Sequence, residues 1–271
     1  MVTILCHFLT LMLLIRMLDK ESMGAYFIAL IIMMLLVLLS DMGVDLALVK
    51  KYPEEDETGK ASLVFTAFIL RVSFCAVFSG LFLFLVSFEN IPMLGEVAHV
   101  AGPLLLFYLL QSLRLLLLRI LQAGQLFGAY AGTQLLAAAL KVVLVIALFT
   151  LGDDSLAHVL LCESAALVAS IVYGLSRLGF LTRRPAPPSL TKARELLRFG
   201  LPLYMNALLN LGNERSTSYI VAGLGGPIAI ASYGVAERLA DGARRLFDPF
   251  MNVYLPTQTS HFARGELAAA R

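Results

Sequence analysis

The sequence predicts an all-α integral membrane protein of about eight transmembrane helices, and three observations carry that prediction. The 271 residues are 59% hydrophobic and 15% charged, with a mean hydropathy of +0.83, outside the range of soluble globular chains. The apolar residues gather into eight candidate helices at approximately 2–18, 23–48, 62–87, 98–120, 127–151, 156–179, 197–223 and 228–256. The connections between them alternate between basic and non-basic character.

The first run lacks a basic leader, and no small-residue cleavage site precedes Arg16 to Glu21, so it reads as a transmembrane helix and not as a signal peptide. It is shorter than the roughly 20 residues that span a bilayer, which places the start of the chain inside that helix. The second run ends with Asp41 and Asp45, four apart and therefore on one helix face. The third carries Arg71, the fourth Arg114 and Arg119, the fifth Lys141 and the sixth Glu163. A long connection from Arg177 to Arg198 follows, with Pro185, Pro187 and Pro188 favouring extended backbone before a helical stretch from Thr191 to Phe199. The seventh run holds Glu214 and Arg215. In the eighth, Glu237, Asp241, Arg244, Arg245 and Asp248 form one charged stripe beside Arg238, and Pro249 and Pro256 predict a kink. The expected organisation is a six-helix bundle over 1–180, a cytoplasmic linker over 181–198 and a partial second bundle over 199–271.

Orientation follows from the loops. Lys50, Lys51 and Lys60 follow the second run, and Arg177, Arg183, Arg184, Lys192, Arg194 and Arg198 follow the sixth. The connections after the third, fifth and seventh hold no Lys or Arg, and Lys20 alone breaks the pattern. The positive-inside rule therefore puts the N-terminus in the cytoplasm. A recurring small-small-Tyr triplet, Gly24-Ala25-Tyr26, Gly128-Ala129-Tyr130 and Ala231-Ser232-Tyr233, opens the second, fifth and eighth runs and suggests repeated three-helix units, the tyrosines near the interface.

Arg71, Arg114, Lys141 and Arg215 are the residues most informative about function. A cation in hydrocarbon costs roughly 2.5–3.5 kcal/mol on insertion scales, so such residues face a wet cavity or a carboxylate. Arg119, at the helix end, reads as an interfacial anchor. Glu163 and Glu214 are the carboxylates read as near enough to pair with these cations, and the remaining excess of positive charge would attract phosphate or carboxylate groups. Asp41 and Asp45 either pair with a basic residue of a neighbouring helix or bind a coupling cation. Glu237 and Arg238 either line the wet interior or belong to an emerging amphipathic segment.

Little points to an enzyme. Cys6, Cys75 and Cys162 are isolated, and His7, His99, His158 and His261 show no metal-ligand spacing. No nucleophile elbow or phosphate-binding glycine loop is present, so no cofactor or metal is expected. The net charge of +2 gives no reason to expect a nucleic acid partner.

Several stretches resemble the polysaccharide transporter branch, the O-antigen-type flippases, of the multidrug/oligosaccharidyl-lipid/polysaccharide (MOP) exporter superfamily. They are Arg16-Met17-Leu18-Asp19-Lys20-Glu21 running into Gly24-Ala25-Tyr26, Asp41-Met42-Gly43-Val44 with Ala47-Leu48 and Lys50, and Gln122-Ala123-Gly124-Gln125 before Ala129-Tyr130. Leu196-Leu197-Arg198-Phe199-Gly200-Leu201-Pro202-Leu203 and Ser232-Tyr233-Gly234-Val235-Ala236-Glu237-Arg238-Leu239 continue the resemblance. It implies two six-helix bundles around a cationic cavity in the bacterial cytoplasmic (inner) membrane. The implied substrate is an undecaprenyl-pyrophosphate-linked oligosaccharide of O-antigen, capsule or exopolysaccharide, with membrane lipids and a polysaccharide polymerase or glycosyltransferases as neighbours. The chain is shorter than this pattern, which implies a truncated member: one bundle plus two helices of the next.

Three other readings stay open. A MATE-like drug/cation antiporter predicts an acidic lumen. A membrane-embedded glycan polymerase or glycosyltransferase predicts a large extramembrane loop or a carboxylate-rich interfacial site. A structural subunit predicts paired deep cations and a dry interior.

Overall fold

The computed structural model describes residues 2–87, 92–179 and 187–263, the side chains of 92, 214 and 244–263 excepted. Among these residues every regular element is helical: α1 (Val2–Met17), α2 (Lys20–Asp41), α3 (Val44–Lys51), a 3-10 turn (Tyr52–Glu54), α4 (Glu57–Val86), α5 (Pro92–Ala98), α6 (Ala101–Ala123), α7 (Phe127–Leu151), α8 (Leu156–Ser176) and α9 (Leu190–Ala263). Six stretches reach the length and hydropathy of a membrane crossing: α2, α4, α6, α7, α8 and Arg215–Ala243 within α9, the last containing the non-helical Gly226. The count of eight is not reached on these terms. α1 has only 16 residues, and the seventh and eighth expected helices are the two arms of α9.

Those arms fold back on one another. Gly226 has φ 69° and ψ −173°, non-helical values that break α9, and a positive φ is easily adopted only by glycine. Residues on opposite sides of the break then meet: Ser218 donates to Glu237 at 2.9 Å, and Arg215 to Asp241 at 3.2 Å. A straight helix would hold residues 26 apart roughly 39 Å from each other.

Local sequence sets the other boundaries. Asp19 caps α2 by accepting from the Ser22 amide at 2.9 Å, and Asp56 caps α4 by accepting from the Gly59 amide at 2.7 Å; such caps are worth about 1 kcal/mol. α2 stops where Met42 (φ 47°) and Gly43 (φ 77°) both enter the left-handed region. The continuous helix expected over 23–48 is therefore two helices, α2 and α3, joined by a kink. Glycine is needed at 43 for a second reason: a Cβ there would strike the backbone of Gly200, and a Cβ on Gly200 would strike that of Gly43. Gly24 likewise meets the backbone of Pro227 at the opposite end of α2.

α2 is the central helix. Of its most apolar window 61% is buried, against 17% for α4, and it packs against α4, α5, α6, α8 and both arms of α9. The larger core gathers Tyr26, Phe27, Ile28, Ala29, Leu104, Tyr108, Val145, Val159 and Leu160 around it. A second core, with Val44, Leu48, Leu63, Ala67, Leu116 and Leu121, holds α3 between α4 and α6. The opposite face of α4 exposes Phe65, Phe68, Ile69, Val72, Val77, Leu81 and Phe84. Lipid tails suit that surface as well as a protein interior would.

The start of α9 is tied to α4 and the 3-10 turn, within the stretch expected as a linker. Lys192 donates to Glu55 at 2.8 Å and to the Gly59 carbonyl at 2.7 Å, and Ser62 donates to the Pro187 carbonyl at 2.8 Å. Lys50 lies 5.4 Å from the centre of the Phe199 ring, a cation–π contact.

Candidate functional site

A cavity of about 410 Å³ opens among α1, α2, α6, α7, α8 and the second arm of α9. Its charged lining is Arg114 and Arg119 from α6, Lys141 from α7, Arg238 from α9 and Glu163 from α8. Four cations thus face one carboxylate. Tyr26, Tyr130, Gln111, Gln134 and His7 add polar atoms, while Leu30, Met33, Met34, Phe107, Leu115 and Leu118 supply the apolar wall. The volume lies within the range of small-molecule pockets, roughly 300–1,000 Å³.

Each cation is held differently. Lys141 lies 2.5 Å from Glu163, and Glu163 also accepts from the Tyr26 hydroxyl at 2.6 Å. Lys141 reaches the same hydroxyl at 3.5 Å, so α2, α7 and α8 converge on one buried polar cluster. Arg119 donates to Gln122 on its own helix at 2.9 Å, and Arg238 lies 6.0 Å from the Phe27 ring. Arg114 contrasts with all of them. It is 8% exposed, forms no ion pair among the described residues, and its Nε is buried without a hydrogen-bond partner. It sits roughly mid-way along α6, about 20 Å from the first residue at 1.5 Å per residue. A charge so placed persists when water or an anionic ligand satisfies it.

Arg71 and Arg215, grouped with Arg114 and Lys141 from sequence, stand elsewhere; neither lines this cavity. Arg71 is fully buried and ion-paired with both Asp41, at 2.7 Å, and Asp45. It also points at Ser112, 3.5 Å away, which in turn contacts Ser40 and Cys75. The kink at Met42 and Gly43 keeps both aspartates on one guanidinium although they belong to different helices. Arg215 pairs with Glu237 at 2.7 Å and Asp241 at 3.2 Å, inside the α9 hairpin. With Ser218, Glu237 and Arg238 it borders a much smaller cavity against Phe27 and Leu30. The side chains of Glu214, Arg244, Arg245 and Asp248 lie outside the described residues.

Residues outside the expected site also line the cavity. Tyr26 and Tyr130, assigned to the interface as members of repeated triplets, both line the cavity. Arg119, taken as an anchor, lines it too. Among the described residues no group of His, Cys, Asp and Glu has the arrangement of a metal site.

Comparison with known families matches residues 1–261 to the model of the family described as polysaccharide biosynthesis protein. Neither a curated protein nor a solved structure matches the chain.

Proposed function

The chain belongs to the polysaccharide biosynthesis protein family, and on that premise we propose that it is a flippase for an anionic, lipid-linked saccharide precursor. The substrate class is an undecaprenyl-pyrophosphate-linked oligosaccharide, carried across the bacterial cytoplasmic membrane for O-antigen, capsule or exopolysaccharide assembly. The observation that supports this most is Arg114: a buried guanidinium that forms no ion pair among the described residues and whose Nε has no hydrogen-bond partner, in a cavity whose charged lining is four cations and one carboxylate. A guanidinium can give two parallel hydrogen bonds to a phosphate, and a cavity with this balance concentrates anions. A carrier of cationic drugs would call for the opposite balance.

In this reading Arg114 and Arg119 receive the diphosphate, while Lys141, Gln111 and Gln134 extend the polar path. Arg71 and Arg215, each already neutralised by two carboxylates, fasten helices to one another. Alpha-helix α1 and the two arms of α9 act as crossings beside α2, α4, α6, α7 and α8, giving eight with the N-terminus cytoplasmic. The segment 1–180 then forms one bundle, and 199–271 belongs to a second. The headgroup passes through the cavity while the polyprenyl tail stays in lipid, against apolar surfaces such as that of α4.

Replacing Arg114 by Gln in the native host tests this. Surface polysaccharide should fall at least tenfold with the chain's membrane level unchanged, and lipid-linked precursor should accumulate. Normal surface polysaccharide at a normal protein level would overturn the assignment.

A further inference from the structure

The two innermost cations of the cavity are treated in opposite ways. Arg114 on α6 has no carboxylate partner among the described residues, whereas Lys141 on α7 is covered by Glu163 at 2.5 Å. Glu163 is itself 4% exposed and is held from a third helix by the Tyr26 hydroxyl at 2.6 Å. Its position therefore does not depend on Lys141 alone. If Lys141 turns away toward another anion, Glu163 keeps one strong hydrogen bond and stays where it is.

We infer that Glu163 is a built-in competitor anion: it occupies Lys141 when the cavity is empty, and an arriving phosphate must displace it. This inference rests on the cavity's taking an anionic headgroup. The physical argument concerns release. A cavity of four uncompensated cations in a low-dielectric surround would bind a diphosphate too tightly to let it go, because opposite charges attract far more strongly there than in water. Passage requires binding strong enough for entry and weak enough for exit. A fixed carboxylate that reclaims Lys141 as the phosphate leaves supplies that weakness. It also keeps the ammonium compensated in the empty state, where an unpaired buried charge is costly.

Glu163 is thus a positioning residue that acts through Lys141, and its removal should produce a gain in binding. A merely structural partner would produce a loss. The test is titration calorimetry of the purified full chain with inorganic pyrophosphate, on wild type, Glu163→Gln, Glu163→Asp, Lys141→Gln, the double variant Lys141→Gln/Glu163→Gln, and Arg114→Gln. Glutamine keeps the shape and can still accept from Tyr26. Glu163→Gln should bind at least about fivefold more tightly than wild type, and the gain should vanish when Lys141 is already Gln. Glu163→Asp, which keeps the charge but shortens its reach, should show a smaller gain; it decides the matter should the Gln variant fail to give a monodisperse protein. Unchanged or weaker binding in the Glu163 variants, with Arg114→Gln still weakening it, would overturn the competitor role and leave the cavity assignment standing. Pyrophosphate binding that is absent, or indifferent to Arg114, would overturn both.

Discussion

Arg71, fully buried on α4, donates to Asp41 at the end of α2 across 2.7 Å, and its guanidinium also pairs with Asp45 at the start of α3. Three helices are thereby fastened at one point, beside the kink where α2 gives way to α3. Ion pairs in so dry a place add little net stability when complete, but losing one partner leaves buried charge uncompensated at about 3–5 kcal/mol.

Arg71→Ala should therefore destabilise the fold by about 3–5 kcal/mol. Thermal unfolding in detergent should fall sharply, while Arg71→Ala combined with Asp41→Asn and Asp45→Asn should recover part of the loss. No recovery in the triple variant would show that Arg71 acts through something other than these carboxylates.

The Gly43 and Gly200 backbones touch, so an added Cβ on Gly200 has nowhere to go. Gly200→Ala should cost about 1–3 kcal/mol by overpacking, read as a lowered melting temperature. Gly212→Ala, where the space is open, should be near neutral. Equal effects at the two positions would contradict the close approach.

The α9 hairpin depends on charge across its arms. Arg215→Glu places three carboxylates together with Glu237 and Asp241 and should lower the melting temperature, whereas Arg215→Glu with Glu237→Arg should restore most of it, because the pair is re-formed with its ends exchanged. Failure of the swap to rescue would argue against a folded-back hairpin at this pair.

At the entry to α4 the Gly59 amide, then the Thr58 hydroxyl, hold the Asp56 carboxyl below its ordinary value of 3.8. A depressed carboxylate pKa contributes stability that is fully present above the unfolded value and is lost as pH falls through the folded one. The protection factors of the first-turn amides of α4, the exchange rates corrected for their intrinsic pH dependence, should thus stay constant from neutral pH down to about 5 and fall only below 3.8. Asp56→Asn, still a good cap, should remove that acid dependence.

How much of this could be read from sequence differs by feature. Helix existence was legible because a bilayer leaves the backbone few options, so the apolar runs at 62–87, 127–151 and 156–179 nearly coincide with α4, α7 and α8. The fold-back was visible in Gly225-Gly226-Pro227. The kink at Met42 and Gly43 was not, since a left-handed Met has no strong sequence signal and the close approach of Gly200 comes from a helix distant in sequence. At the site, the i,i+4 spacing of Asp41 and Asp45 announced a shared cation but could not name Arg71. Whether a deep cation is paired depends on how the helices turn and pack: Glu163 reaches Lys141 from the next helix, and no carboxylate among the described residues pairs with Arg114. Counting charges grouped four deep cations that the fold separates, with Arg114 and Lys141 at the cavity and Arg71 and Arg215 away from it.

If Arg114 receives the anionic headgroup of a lipid-linked saccharide, its guanidinium should set the rate at which that lipid crosses the membrane. The most direct measurement is translocation of a fluorescent polyprenyl-diphosphate saccharide across proteoliposomes containing the chain, followed by quenching from outside. Wild-type protein should move the lipid, Arg114→Gln should slow it at least tenfold, and Arg114→Lys should fall between them, because a lysine keeps the charge without the bidentate fork. Equal translocation by wild type and Arg114→Gln, at equal protein content, would contradict the account.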